Sequence, residues 1–296
     1  MYTLTTAPQD SSFEALFALR QLYVSNSQRV FDTSQLLGRP DATVELRDAG
    51  GSVVERYRPI TTNASPQYGY PGYQGFYRPV LGFQPQVGQA YTLRAMLPGL
   101  ETAESTLTMP APAVVESGSF APRPNPNPNT PYSEYLGRLS VVLRDDPTAA
   151  NYYLAFARVL DRQGQPGNWS VVDVDYDTQR NTAGIGQFQL SSPRQQYSIY
   201  PFADTNVNGQ RIAMASDVSF YSNCYTVNGN CPPPGFIEVH VSSITKDAYD
   251  FYLSRRRYYD SGGNPFAEPA PLASNVRPGY GLFGGATDAV YRIQLP

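Results

Sequence analysis

The chain has 296 residues, 41% of them hydrophobic and only 16% charged, with a net charge of -3. That length suits about two domains of ~150 residues. The acidic balance, with no basic block beyond Arg255-Arg256-Arg257, argues against nucleic acid as a partner, and no apolar run approaches the ~18 residues of a membrane-spanning helix.

Residues 1–40 read in two ways. In "FEALFALRQLYV" the apolar Phe13, Ala15, Phe17 and Leu19 alternate along the chain, which favours strands, but a short helix fits as well. The same stretch carries charges and lacks a small-residue cleavage site, so it is not a signal peptide as written. Either an export signal has been removed or the protein is cytosolic.

From about 42 to 109 the pattern is strand, turn, strand. "ATVELRD" and "SVVERYRP" alternate around a glycine turn, "GFYRPV" returns, and "VGQAYTLRAML" and "AESTLTMP" flank a Pro-Gly turn. This predicts an antiparallel β-sandwich filling an N-terminal domain, residues 1–112. Inside it, "QYGYPGYQGFY" sets Tyr68, Tyr70, Tyr73, Phe76 and Tyr77 among Gly and Pro. Such a loop either displays aromatic faces to a peptide, sugar or protein or folds its rings back onto the sandwich.

Residues 113–131 read as a linker, because prolines at every second position from Pro122 to Pro128 stiffen the chain towards polyproline II. The second domain, 132–296, opens with "LGRLSVVLRDDP" and "NYYLAFARVLDR". The latter is bulky on both faces, as a buried central strand is. "GNWSVVDVDYD", "GIGQFQLSS", "QQYSIYPFADT", "GQRIAMASDVSFYSN" and "GFIEVHVSSIT" follow as further strands. One helix is expected near 245–258, with Thr245 as N-cap, Ile244, Ala248, Phe251, Tyr252 and Arg255 on one face, Arg255 to Arg257 in the last turn, and Gly262-Gly263 ending the element. An extended arm, 262–285, comes next: its prolines exclude a central strand, while its apolar side chains suit packing on the second domain. "DAVYRIQL" is the final strand. The expected fold is therefore all-β with one short helix: an Ig-like sandwich, then a larger antiparallel sandwich or barrel-like domain.

The side chains that could carry chemistry are few. His240, the only histidine, falls on the strand "FIEVHVSS" and reads as a half-buried strand residue, with no G-x-S-x-G to support a triad. Asp173, Asp175 and Asp177 share one strand face; they form either a weak calcium candidate or a solvated face. No catalytic residue is assigned. With no phosphate-binding loop and no dinucleotide fingerprint, no cofactor is expected. Cys224 and Cys231, the only two cysteines, flank an Asn-Gly turn. A disulfide there, worth about 2–3 kcal/mol, would imply an oxidising compartment; two free thiols or a metal pair are the alternatives.

Two resemblances follow from quoted motifs. The order A-x-V-x-L-x-D, G-F-Y, G-x-x-Y-x-L-x-A-x-x-P-G resembles transthyretin-like, or carboxypeptidase-regulatory-like, sandwiches. "NPFAEPAPLASNVRPGYGLFGG", with Asn264, Pro265, Phe266, Glu268, Pro269, Ser274, Asn275, Gly279, Gly281 and Phe283, resembles the C-terminal signature of the family called domain of unknown function 4249. Val276 stands where that family usually has Ile. "NYYLAFARV", "PFADTNVNGQRI" and "VSSITKDAYDFYLS" agree with it in order. The family consists of envelope proteins of Bacteroidota that usually carry a lipoprotein signal, of which no cysteine is visible near Met1.

The resemblance implies a non-enzymatic protein of the cell envelope, associated with the outer membrane by a lipid anchor and accessory to a TonB-dependent transporter. Its ligand would be a small molecule, glycan or peptide. A secreted hydrolase of glycans or peptides using clustered carboxylates, and a structural adhesin-like module, are the alternatives.

Overall fold

The computed structural model describes residues 2–6, 22–26, 37–60, 75–124, 134–167, 169–175, 188–192, 199–222, 233–262 and 271–296. They form a mostly β fold with one α-helix among the described residues, as the alternation of apolar residues predicts. The chain divides into unit 1, Met1–Ala111 with Ala270–Thr287, and unit 2, Pro112–Pro269 with Asp288–Pro296.

Unit 1 contains β1 (Tyr2–Thr5), β2 (Leu22–Tyr23), β3 (Thr43–Asp48), β4 (Val53–Pro59), β5 (Phe76–Pro79), β6 (Ala90–Met96) and β7 (Ala103–Thr108). The last six make one sheet in the order β2-β5-β4-β3-β6-β7. The β3–β4 turn closes because Asp48 accepts the Ser52 N–H at 2.9 Å and Gly51 takes a left-handed φ of 83°, a conformation costly for any residue with a Cβ. Alternation sends Val44, Leu46, Tyr57, Tyr91 and Leu107 into one core, where Leu4 and Phe283 join them. β1, which the sequence reading did not anticipate, pairs in parallel with the start of β15 (Phe283–Gln294), Tyr2 opposite Phe283.

Unit 2 contains β8 (Val114–Arg123), β9 (Glu134–Arg144), β10 (Tyr152–Asp161), β11 (Asp173–Val174), β12 (Phe202–Ala203), β13 (Arg211–Tyr221), β14 (Pro234–Ile244), α1 (Lys246–Gly262) and the remainder of β15. One sheet runs β11-β13-β9-β8; in the other, β15 is followed by β14, β10 and β12. Alternate residues of both, among them Leu139, Val141, Met214, Phe220, Val239 and Val241, form a single core. β10 is buried along nearly its whole length, the two-faced burial that its bulky composition implies.

Three expectations are corrected. The stretch expected to be a linker contains β8, paired with β9 from Val114↔Arg144 to Arg123↔Leu136. Pro122 is tolerated there because β8 is an edge strand, which leaves alternate N–H groups outside the ladder. The arginines expected in the last turn of the helix are internal to it, since α1 continues to Gly262 and its last turn carries no basic side chain. Thr245 does precede it, accepting the Tyr249 N–H at 3.0 Å, and Ala248, Phe251 and Tyr252 form its buried face. Finally, residues 270–287 of the arm belong to unit 1 and not to the second domain.

Candidate functional site

A concavity of about 480 Å³ lies wholly within unit 1. Its floor comes from the strand period of two. Leu93 faces Ser105 and Ala95 faces Ala103 across β6 and β7, and Val44 faces Ala95 across β3, so all five present one face of the sheet. Leu22 and Tyr23 of β2, with Val24 to Asn26, form one wall. The segment from Val276 to Leu282 forms the other, and Leu97, Leu100 and Glu101 stand at the β6–β7 turn.

That second wall is a strap tied at several points. Arg277 and Glu104 exchange both backbone hydrogen bonds, at 2.7 and 2.9 Å, and so close the outer edge of β7 at one residue. Asn275 donates to the Phe283 carbonyl at 2.8 Å and accepts the Phe283 N–H at 2.9 Å. Ser274 accepts the Gly281 N–H at 2.9 Å, and the Tyr280 hydroxyl donates to the Leu272 carbonyl. Proline-rich chain that cannot join a ladder is thus held by side-chain contacts to its own backbone.

The electrostatics follow from the same alternation. On the opposite face of β3, β6 and β7, Arg47 pairs with Glu45 at 2.5 Å, Arg94 with Glu104 at 2.5 Å, and Arg94 approaches Glu45 to 3.8 Å. Glu104 borders the cleft by its place on β7, yet its carboxylate is engaged by Arg94. No Lys, Arg or His is among the described residues that line the cleft. Burial pushes the Tyr23 hydroxyl pKa up. Ser105 keeps its hydroxyl buried with no hydrogen-bond partner among the described residues. Leu100 and Tyr280 are 59% and 56% exposed at this same site.

The residues singled out in the sequence fall elsewhere or beside it. Tyr77 is buried; its hydroxyl donates to the Arg39 carbonyl at 2.7 Å and accepts the Ala42 N–H at 2.9 Å. Tyr77 therefore clamps a loop and does not display its ring. Phe76 packs against Tyr23, ring centroids 4.7 Å apart. Tyr68, Tyr70 and Tyr73 lie outside the described residues, as do Asp177, Cys224, Cys231, Asn264, Pro265, Phe266, Glu268 and Pro269.

In unit 2, Asp173 accepts from Ser192 and Asp175 is paired with Arg123. No group of three or more His, Cys, Asp or Glu among the described residues is arranged to hold a metal. His240 is fully buried where a half-buried strand histidine was expected, because its neighbour Glu238 brings charge partners to that face. His240 Nε2 lies 2.8 Å from Glu238 Oε1. Arg158 reaches the same oxygen at 2.7 Å, and Arg292 reaches Oε2 at 2.8 Å. Burial alone would raise the Glu238 pKa; hydrogen bonds from His240 and Arg292, with the charges of His240 and Arg158, outweigh it and hold it at about 2.

The cleft itself escaped the sequence reading. The apolar Leu97 and Leu100 beside the Pro98-Gly99 turn gave no usable signal, because single exposed apolar residues are ordinary. A family model, described as Domain of unknown function (DUF4249), matches residues 11–292. Neither a curated protein nor a solved structure matches the chain.

Proposed function

The chain belongs to the DUF4249 family, and from that premise we propose that it is a non-enzymatic binding protein of the cell envelope, accessory to a TonB-dependent outer-membrane transporter. The observation that carries the binding half is the unit 1 cleft. Its volume falls in the range of about 300–1,000 Å³ in which small-molecule sites lie, and its floor is a preformed sheet face. The acids and the histidine weighed for catalysis support the same reading, because those described are engaged in structural pairs: Asp173 with Ser192, Asp175 with Arg123, His240 with Glu238. The envelope and the transporter come from the family resemblance of the signature.

The test is purification of the tagged protein from its native host after gentle solubilisation of the outer membrane. A TonB-dependent transporter recovered in near-stoichiometric amount is the expected result. Recovery in the membrane-free fraction with no transporter would overturn the accessory role.

A further inference from the structure

We propose that the unit 1 cleft takes an uncharged or cationic amphiphile, with its aliphatic chain along the sheet face and its head group at the mouth beside Glu101, and that it discriminates against anionic amphiphiles. This rests on the binding reading above and names the ligand class.

The chain's place is set by the floor. Val44, Leu93, Ala95 and Ala103 present only methyl and methylene groups, and the small Ala95 and Ala103 sit side by side in register, which leaves depth where larger side chains would fill the cleft. Burying an alkyl chain there contributes about 0.8 kcal/mol per methylene. The head's place is set by the rim: Leu100 and Tyr280 are large, exposed and on the cleft, so a ligand extending to the mouth covers apolar surface that is otherwise wet.

The head's charge is set by what lines the site. Glu101 is exposed there and carries no described ion pair, whereas Glu104 is neutralised by Arg94 on the other face of the sheet. Among the described lining residues a carboxylate or phosphate head would meet the Glu101 carboxylate and no cation, whereas an ammonium head would meet a counter-charge. At a few ångströms and surface-like screening that difference is worth about tenfold in affinity or more.

The experiment is calorimetric titration of the full chain at pH 8 with dodecanol, dodecylammonium and laurate, each below its micelle concentration. Dodecylammonium is expected to bind at least as tightly as dodecanol, and laurate about tenfold more weakly. Glu101→Lys, at an exposed position, should reverse the order of the two charged ligands. Leu100→Asp, also exposed, should weaken all three, and Ala95→Trp should abolish binding by filling the floor.

Equal binding of laurate and dodecylammonium, binding that survives Ala95→Trp in a folded protein, or no binding of any of the three overturns the proposal. Should none bind while a transporter still co-purifies, this inference fails and the accessory role stands. Should the three bind in the expected order with no transporter recovered, the accessory role fails and this inference stands.

Discussion

Each unit buries a glutamate, and the two are kept charged by different means. In unit 1, Glu55 accepts four backbone N–H groups: those of Arg56, Val80 and Leu81 at Oε1, at 2.8, 3.0 and 2.6 Å, and that of Phe83 at Oε2, at 2.9 Å. In unit 2, Glu238 is surrounded by Arg158, Arg292 and His240. Burial pushes both carboxyls up, and in both the partners outweigh burial and lower the pKa. The difference lies in what each carboxylate organises. Glu55 gathers dipoles and thereby fixes a loop that has no strand to hold it. Glu238 gathers side-chain cations and thereby neutralises charge on a sheet face. Backbone donors remain satisfiable by water if the carboxylate goes, whereas buried cations do not.

That contrast breaks most severely at Glu238. Glu238→Ala removes the buried carboxylate that Arg158 and Arg292 pair with and that His240 contacts, and should cost unit 2 about 3–5 kcal/mol. Urea unfolding followed by the fluorescence of Trp169, the sole tryptophan and part of the unit 2 core, reads this directly; an unchanged midpoint would dismiss the charge-neutralising role.

Glu55→Gln keeps the shape and replaces one acceptor oxygen by a donor NH2, so at least one loop N–H faces a donor. A loss of about 1–3 kcal/mol is expected, seen as faster hydrogen exchange at Leu81 and Phe83 with little change at Trp169.

Acid sharpens the comparison further. The folded Glu238 pKa of about 2 lies below its ordinary 4.5, so its contribution is fully present above about pH 4.5 and is lost as pH falls towards 2. The Trp169-monitored stability of the parent should decline through that window, and Glu238→Gln should flatten the decline. Glu55, also lowered, should show the same sign in loop exchange. Smallest is Arg292→Met: its side chain is 55% exposed, and its pair with Glu238 should contribute less than about 1 kcal/mol. A loss comparable to that of Glu238→Ala would mean that Arg292, and not Arg158, is the principal counter-charge.

The parts of this arrangement differ in how far they could be read from sequence. The β3–β4 and β6–β7 hairpins are legible because alternation and turn residues are local: Val44 and Leu46 point inward, Gly51 and Gly99 turn the chain. β10 is legible because bulky residues on both faces have one explanation. α1 is legible in its buried face and in its glycine stop at Gly262, but not in its last turn, because nothing local shows that the helix runs on past Arg257 to that stop.

β8 was hidden by Pro122, which argues against a central strand but not against an edge. β1 is four residues long and finds its partner at Phe283, a pairing with no local mark. The cleft is hidden for the same reason: its floor, its first wall and its strap come from stretches near residues 93–105, 22–26 and 276–282. Alternation says that Leu93 and Ala95 leave one face of β6 together; it does not say whether that face is filled. Glu238 and Arg158 read as ordinary strand polar residues until the register places them opposite each other.

The division of the chain has a consequence in time. Unit 1 takes its second piece, residues 270–287, only after nearly all of unit 2 has been passed. A nascent chain that has delivered Ala111 has the sheet floor but lacks the partner of β1, the hydrogen bond from Tyr2 N–H to the Leu282 carbonyl at 2.9 Å, and the whole strap. Domains generally fold in the order in which they emerge during synthesis; here the first unit to be started is completed only after residues 112–269 of the second have been made. Competence to bind in the cleft therefore arrives only once the strap has been made, so a chain stopped anywhere before Leu282 is expected to hold no ligand there, however well its hairpins have formed.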